Sequence, residues 1–252
     1  MCNIAYNFNR MSKQDKSPKV AQRGKLTTGL QIKDLKWTKK QQDFIKLALD
    51  KETKLIFVSG PAGSSKTLLS IYCSLCLIRD KKVSDIIYVR SPVESSDSKI
   101  GFLPGDADEK LKYYNLPFSD KLVELLSKSD IELLNKQNRI SGHPLSFVRG
   151  MSWNCKSIIL DEAQNCTQKE IVTLMTRLGK FSKCFILADP EQTDLTNGKA
   201  GGFQKLCKLF NDQESKKFGI YSFYLTEEDI MRSELVKYMV SKLKDLSPTS
   251  RV

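Results

Sequence analysis

A chain of 252 residues, 40% hydrophobic, has enough material for one α/β core and a small appendage. No apolar run approaches the ~18 residues of a membrane span. The seven cysteines are odd in number and irregularly spaced, the histidine is single, and the net charge is +12: a disulfide scaffold and a histidine-rich metal site are excluded, and a polyanionic partner such as nucleic acid becomes a candidate beside plain solubility.

Residues 1–30 are polar and basic, with Lys13, Lys16, Lys19, Arg23 and Lys25, and read as a disordered tail. The N-terminus has no continuous apolar segment of the secretory kind, so the expected location is cytoplasmic. One folded domain is expected over residues 34–247. In WTKKQQDFIKLALD, Thr38 is a candidate N-cap with Gln41 three residues later, and Phe44, Ile45, Ala48 and Leu49 form one apolar face, which predicts a helix of about three turns. Gln41 either closes that capping box or reads an adenine edge.

The stretch LIFVSGPAGSSKTLL organises the chain. Leu55–Val58 reads as a buried strand, and Gly60, Pro61, Ala62, Gly63, Ser64 and Ser65 form a small-residue loop. Lys66 and Thr67 open a helix running to Arg79. This is the context of a phosphate-binding loop: backbone N–H groups and the helix N-terminus attract a polyphosphate, Lys66 adds a full charge, and the Thr67 hydroxyl suits Mg²⁺. The alternative is a coincidental glycine-rich turn. Ser65 stands where the usual pattern has glycine; if φ is positive there, the cost is about 1–2 kcal/mol. Cys73 and Cys76 lie one helical turn apart among apolar residues and read as core thiols rather than metal or redox ligands.

Further strands are expected at Asp85–Arg90, Leu145–Val148, Ser157–Asp161, Lys183–Ala188 and, at an edge, Ile220–Leu225. Gly142-His143-Pro144 reads as a turn. Helical patterns at 107–114, 119–126 and 130–136, interrupted at Asn115-Leu116-Pro117, form a small insertion. Thr167 with Glu170 predicts a capped helix to about Leu178, with Gly179 at its C′ position. A helix over 200–210 and a final helical region from Thr226 or Glu227 to Leu246 complete the chain. Strands alternating with helices predict a mostly parallel sheet covered on both faces.

The strand SIILD ends in Asp161 and Glu162, two carboxylates at the edge where such sheets bind ligands. Asp161 is suited to Mg²⁺ and Glu162 to polarising a water. Gln192, on the loop after Ala188-Asp189-Pro190, is either a γ-phosphate sensor or an ordinary loop glutamine. Arg90, Arg149 and Arg232 are the candidate cations for a transition state.

With these pieces in order, the chain resembles the PhoH-like ATPases, whose phosphate-loop fold is related to superfamily 1 helicases. The motifs carrying the resemblance are QQDFIKLAL, GPAGSSKT, VRSPVE with IGFLPGDADEKL, PLSFVRG, IILDEAQN, LADPEQTDL with GKAGGF, and DIMRSELV. The resemblance implies an open RecA-like α/β fold and a hydrolase using ATP and Mg²⁺ with RNA or single-stranded nucleic acid. It makes Gln41 the adenine reader, Lys66 and Thr67 the phosphate and Mg²⁺ residues, Asp161 and Glu162 the acidic pair, Gln192 the sensor and Arg232 an arginine finger. In a ring-forming family that finger comes from a neighbouring subunit, which implies a homo-oligomer, often a hexamer. Ser65, Ala188 in place of a glycine, and Ser91 between Arg90 and Pro92 depart from the family pattern. Two other functions compete: an ATP-gated binding module with little hydrolysis, and a small-molecule phosphotransferase, for which no arginine-rich lid is present.

Overall fold

The computed structural model describes residues 29–90, 107–189 (backbone alone for 107–114), 192, 201–230, 235, 238–239 and 242. The basic tail, the IGFLPGD loop and Arg232 lie outside them. Six strands, β1 (Leu55–Ser59), β2 (Asp85–Arg90), β3 (Ile140–Pro144), β4 (Lys156–Asp161), β5 (Lys183–Ala188) and β6 (Ile220–Tyr224), form one sheet in the order β3-β2-β4-β5-β1-β6. Every pairing is parallel. This is the open α/β, phosphate-loop architecture expected of the sequence.

Strand side chains alternate between two apolar clusters. Ile56, Val58, Ile86, Tyr88, Ile159 and Phe185 face one side, where α1 (Lys39–Leu49), α2 (Lys66–Arg79), α3 (Ala107–Leu125) and α4 (Lys128–Lys136) contribute Phe44, Leu69, Phe118 and Leu134. Leu55, Phe57, Val89, Ile158, Leu160 and Ile186 face the other, with Ile171 and Leu174 of α5 (Gln168–Met175) and Phe203 and Leu206 of α6 (Gly202–Leu209). Cys73 and Cys76 are buried in α2, and burial pushes both thiols up, as core residues should behave.

Several local expectations are corrected. Leu145–Val148 is a 3₁₀ turn, and Gly142-His143-Pro144, expected to be a turn, belongs to the edge strand β3, Ile140–Pro144. The apolar period is three: Leu145 and Val148 are buried while Ser146 and Phe147 are exposed. Pro117 does not break α3, which runs through it; Phe118, Leu122 and Leu125 are all buried, and Phe118 stacks on Tyr88 at 5.0 Å between ring centroids. α5 stops at Met175, so Gly179 is not its C′ residue. A Cβ at Gly179 would lie 2.6 Å from the Trp153 carbonyl oxygen, so it is close approach that needs glycine there. A short helix, α7 (Gln213–Lys217), precedes β6 where none was expected.

Candidate active site

All six strands run the same way, so their C-terminal ends share one rim. β1 and β4 are not neighbours; β5 lies between them. The rim therefore sets the loop after β1, the acids ending β4 and the Ala188-Asp189 end of β5 side by side.

The loop after β1 is compact. Gly60 donates to Ala188 O at 3.3 Å, and Ser64, fully buried, donates through N and Oγ to Pro61 O at 3.2 and 2.8 Å. A Cβ on Gly60 would come within 2.8 Å of Leu225 Cβ. Gly63 has φ 83° and Ser65 φ 66°, so Ser65 occupies the left-handed region, at about 1–2 kcal/mol. Ser65 is the N-cap of α2 and gives no side-chain cap, so the N-terminus of α2, with its partial positive charge, opens on the rim. Lys66 Nζ folds back onto its own loop, donating to Gly60 O at 2.7 Å and Pro61 O at 2.9 Å.

Across β5, Asp161 has the same strand parity as Ile159 and so faces α2. The Thr67 hydroxyl donates to Asp161 at 3.1–3.2 Å, the Tyr88 hydroxyl at 2.8 Å, and the Glu162 N–H at 3.0 Å. Asp161 and the lysine loop are therefore on the same side of the sheet. Burial first, and the Glu162 charge second, raise the Asp161 pKa, against the lowering hydrogen bonds from Tyr88 and Thr67. Burial and the Asp161 charge together push the Tyr88 phenol far above its usual range, so it is a permanent donor. A buried carboxylate meeting a threonine hydroxyl is a hard-oxygen pair, which fits Mg²⁺, a cation that takes one or two protein oxygens and completes its shell with phosphate and water.

Glu162 points elsewhere. It too is left-handed, at φ 56°. Its Oε2 accepts from Gln164 Nε2 at 2.5 Å, and its Oε1 lies 3.8 Å from Arg90 Nη2. Gln164 is buried and its Oε1 accepts from Asp189 N at 3.1 Å. Gln192, exposed, donates its N–H to Asp189 O at 3.1 Å. Gln41, fully buried, closes the capping box with Thr38 and donates Nε2 to Asp229 O at 3.1 Å. Both ends of its amide are thus engaged, Oε1 in the cap of α1 and Nε2 in pinning α1 to the 3₁₀ turn Glu227–Asp229.

Tyr88 and Gln164 were not singled out from the sequence. The signal for Tyr88 was a lone hydroxyl in the apolar strand DIIYVR; Gln164 stood in DEAQN, but nothing local says that it bridges two strand ends.

A family model, PhoH-like protein, matches residues 34–244. The chain belongs to the PhoH-like protein family. Relatives include PhoH-like proteins of Synechocystis sp., 33% identical over 84% of this chain, and of Bacillus subtilis, 33% identical over 79%. Escherichia coli Protein PhoH is 35% identical over 72% of it. The matched regions span only 63%, 60% and 51% of those relatives' own lengths. Among solved structures, unliganded Pif1 from Bacteroides sp. gives a TM-score of 0.38 at 18% identity, over 82% of this chain and 45% of that one, a likeness too loose to bear on the site. Among the described residues no helix is long and apolar enough to cross a membrane, and no cluster of three or more metal-type ligands occurs.

Proposed function

We propose that this PhoH-like chain is an ATPase that requires Mg²⁺ and works with RNA or single-stranded nucleic acid in the cytoplasm, through a domain covering residues 34–247. The observation that carries the reading is the Thr67 hydroxyl donating to buried Asp161 beside a glycine-poor but closed loop ending in Lys66.

In this reading the α2 N-terminus and Lys66, released from the Gly60 and Pro61 carbonyls, hold the terminal phosphates. Thr67 and Asp161 would hold Mg²⁺, which when bound neutralises charge on the phosphoryl group. Glu162 takes the proton of the attacking water at Oε1, because Oε2 is held by Gln164. Gln192 sits on the β5 loop to sense the γ-phosphate, and Gln41 reads the adenine after giving up its Asp229 bond. Arg232, supplied by a neighbouring subunit of a homo-oligomeric, hexameric ring, offsets transition-state charge.

Phosphate release with and without single-stranded RNA tests this. Wild-type protein is expected to turn over Mg·ATP, faster with RNA, while Lys66→Ala and Glu162→Gln do not. Equal release by all three would overturn it. The left-handed Ser65 supports a second reading, a nucleotide-gated binding module. That reading expects binding without turnover and recovery of hydrolysis in Ser65→Gly; equal turnover in the two proteins would remove its motive.

A further inference from the structure

β2 carries a single hydroxyl, on Tyr88, and that side chain is buried. Tyr88 pairs with Ile159 in the β2–β4 register, two residues before Asp161 and on the same face of the sheet. A diagonal neighbour lies beyond a short side chain but within reach of an aromatic one, and the Tyr88 hydroxyl donates to Asp161 Oδ2 at 2.8 Å. Phe118 of α3 stacks on the ring, 5.0 Å between centroids and 13° between planes, which fixes where the hydroxyl points.

Asp161 is held from two sides. Oδ2 accepts from Tyr88 and Oδ1 from the Glu162 N–H, while Thr67 Oγ1 lies almost midway between the two oxygens, at 3.1 and 3.2 Å. Thr67 therefore faces the open edge of the carboxylate, and the other two donors fix its tilt. Among the described residues every hydrogen-bond donor to Asp161 is neutral. Arg90, directly opposite it in the register, turns to Glu162 at 3.8 Å instead. Neutral donors orient a carboxylate without cancelling its charge, which stays available to a cation. Core filling alone would be served by phenylalanine, which stacks on Phe118 equally well and brings no hydroxyl to satisfy.

We propose that Tyr88 is a positioning residue for the cation site: its hydroxyl holds the Asp161 carboxylate in the orientation that, together with Thr67, receives Mg²⁺. This deepens the proposed function and rests on its reading of Thr67 and Asp161 as the Mg²⁺ residues. Few protein oxygens reach Mg²⁺, whose octahedral geometry is strict, so each of them must be well placed.

The test is binding of a fluorescent non-hydrolysable ATP analogue to the full chain, titrated with Mg²⁺ and repeated in chelator. Tyr88→Phe removes one oxygen and keeps the ring on Phe118. It is expected to raise the half-saturating Mg²⁺ concentration about 10- to 100-fold and to leave affinity in chelator unchanged. In an Asp161→Asn background the same substitution should add no further rise, because the hydroxyl acts through that carboxylate. An unchanged Mg²⁺ requirement in Tyr88→Phe would overturn the positioning role and leave the Mg²⁺–nucleotide site standing. Equal weakening with Mg²⁺ and in chelator would make Tyr88 a packing residue and also overturn the role, as would a full further rise in the Asp161→Asn background. Wild-type binding that is absent, or the same in Mg²⁺ and chelator, would overturn both the role and the site.

Discussion

The two ends of the rim are built differently. At the β1 end almost every polar group already has a partner, and the partners are costly. Asp161 is a buried carboxylate whose charge is disfavoured, and Ser65 and Glu162 are held left-handed. At the β3 end Phe147 and Arg149 are exposed on an ordinary 3₁₀ turn seated on Leu145 and Val148, and Lys169 is exposed in the first turn of α5. In the proposed function, a bound nucleotide and cation would relieve the strain and desolvated charge at the β1 end. The turn at the β3 end carries neither, and its polar side chains stay in water.

The largest expected effect separates the ends by rate. Glu162→Gln should reduce phosphate release about 10²–10⁴-fold, whereas Lys169→Ala leaves release without nucleic acid near wild type; equal losses in steady-state assays would erase the contrast. Next comes stability. Because the folded Asp161 pKa is raised, its stabilising contribution is fully present below the usual aspartate pKa and is lost as pH rises through the folded value. Asp161→Asn should therefore melt higher than wild type without nucleotide, by about 2–4 °C per kcal/mol of relieved cost, with the gap opening as pH rises from about 4. A lower melting point at pH 7 would contradict this.

The opposite edge of the sheet offers a control. Lys183, at the start of β5, donates Nζ to Ala48 O and Asp50 O, closing the end of α1, and burial lowers its pKa to about 8. Unfolded lysine holds its proton to about 10.4, so between about pH 8 and 10 the unfolded chain binds more protons and stability rises with pH. Melting of wild type against Lys183→Met across that window should show the rise in wild type alone. The smallest effect is at Ser65. Relief of about 1–2 kcal/mol of left-handed strain in Ser65→Gly is offset by about 0.5–1 kcal/mol of added chain entropy, so chemical denaturation should show a net gain near 1 kcal/mol or less.

Much of this was legible in the residues. β1, β2, β4 and β5 are short apolar runs ended by glycine, proline or acids, and two capping boxes were visible as Thr38/Gln41 and Thr167/Glu170. The misreadings lie where context overrides local pattern. ISGHP forms a strand because β2 supplies its hydrogen-bonding partner, with Gly142 beside Tyr88, and LSFV looks like a strand because a period of three is hard to tell from an apolar run over four residues. Pro117 is tolerated because one apolar face continues across it. At the site, Lys66, Thr67, Asp161 and Glu162 could be named because their spacing is local. The Tyr88–Asp161 and Gln164–Asp189 bonds join different strands, and only the strand order brings those ends together.

The most direct measurement is the melting temperature with a non-hydrolysable ATP analogue, with Mg²⁺ or with chelator, in wild type and Lys66→Ala. Binding at a hundredfold excess over Kd stabilises by about 2.7 kcal/mol, so wild type should melt distinctly higher with analogue and Mg²⁺, and both chelator and Lys66→Ala should abolish most of the shift. An equal shift in all cases, or none in wild type, would contradict a Mg²⁺–nucleotide site formed by Lys66, Thr67 and Asp161.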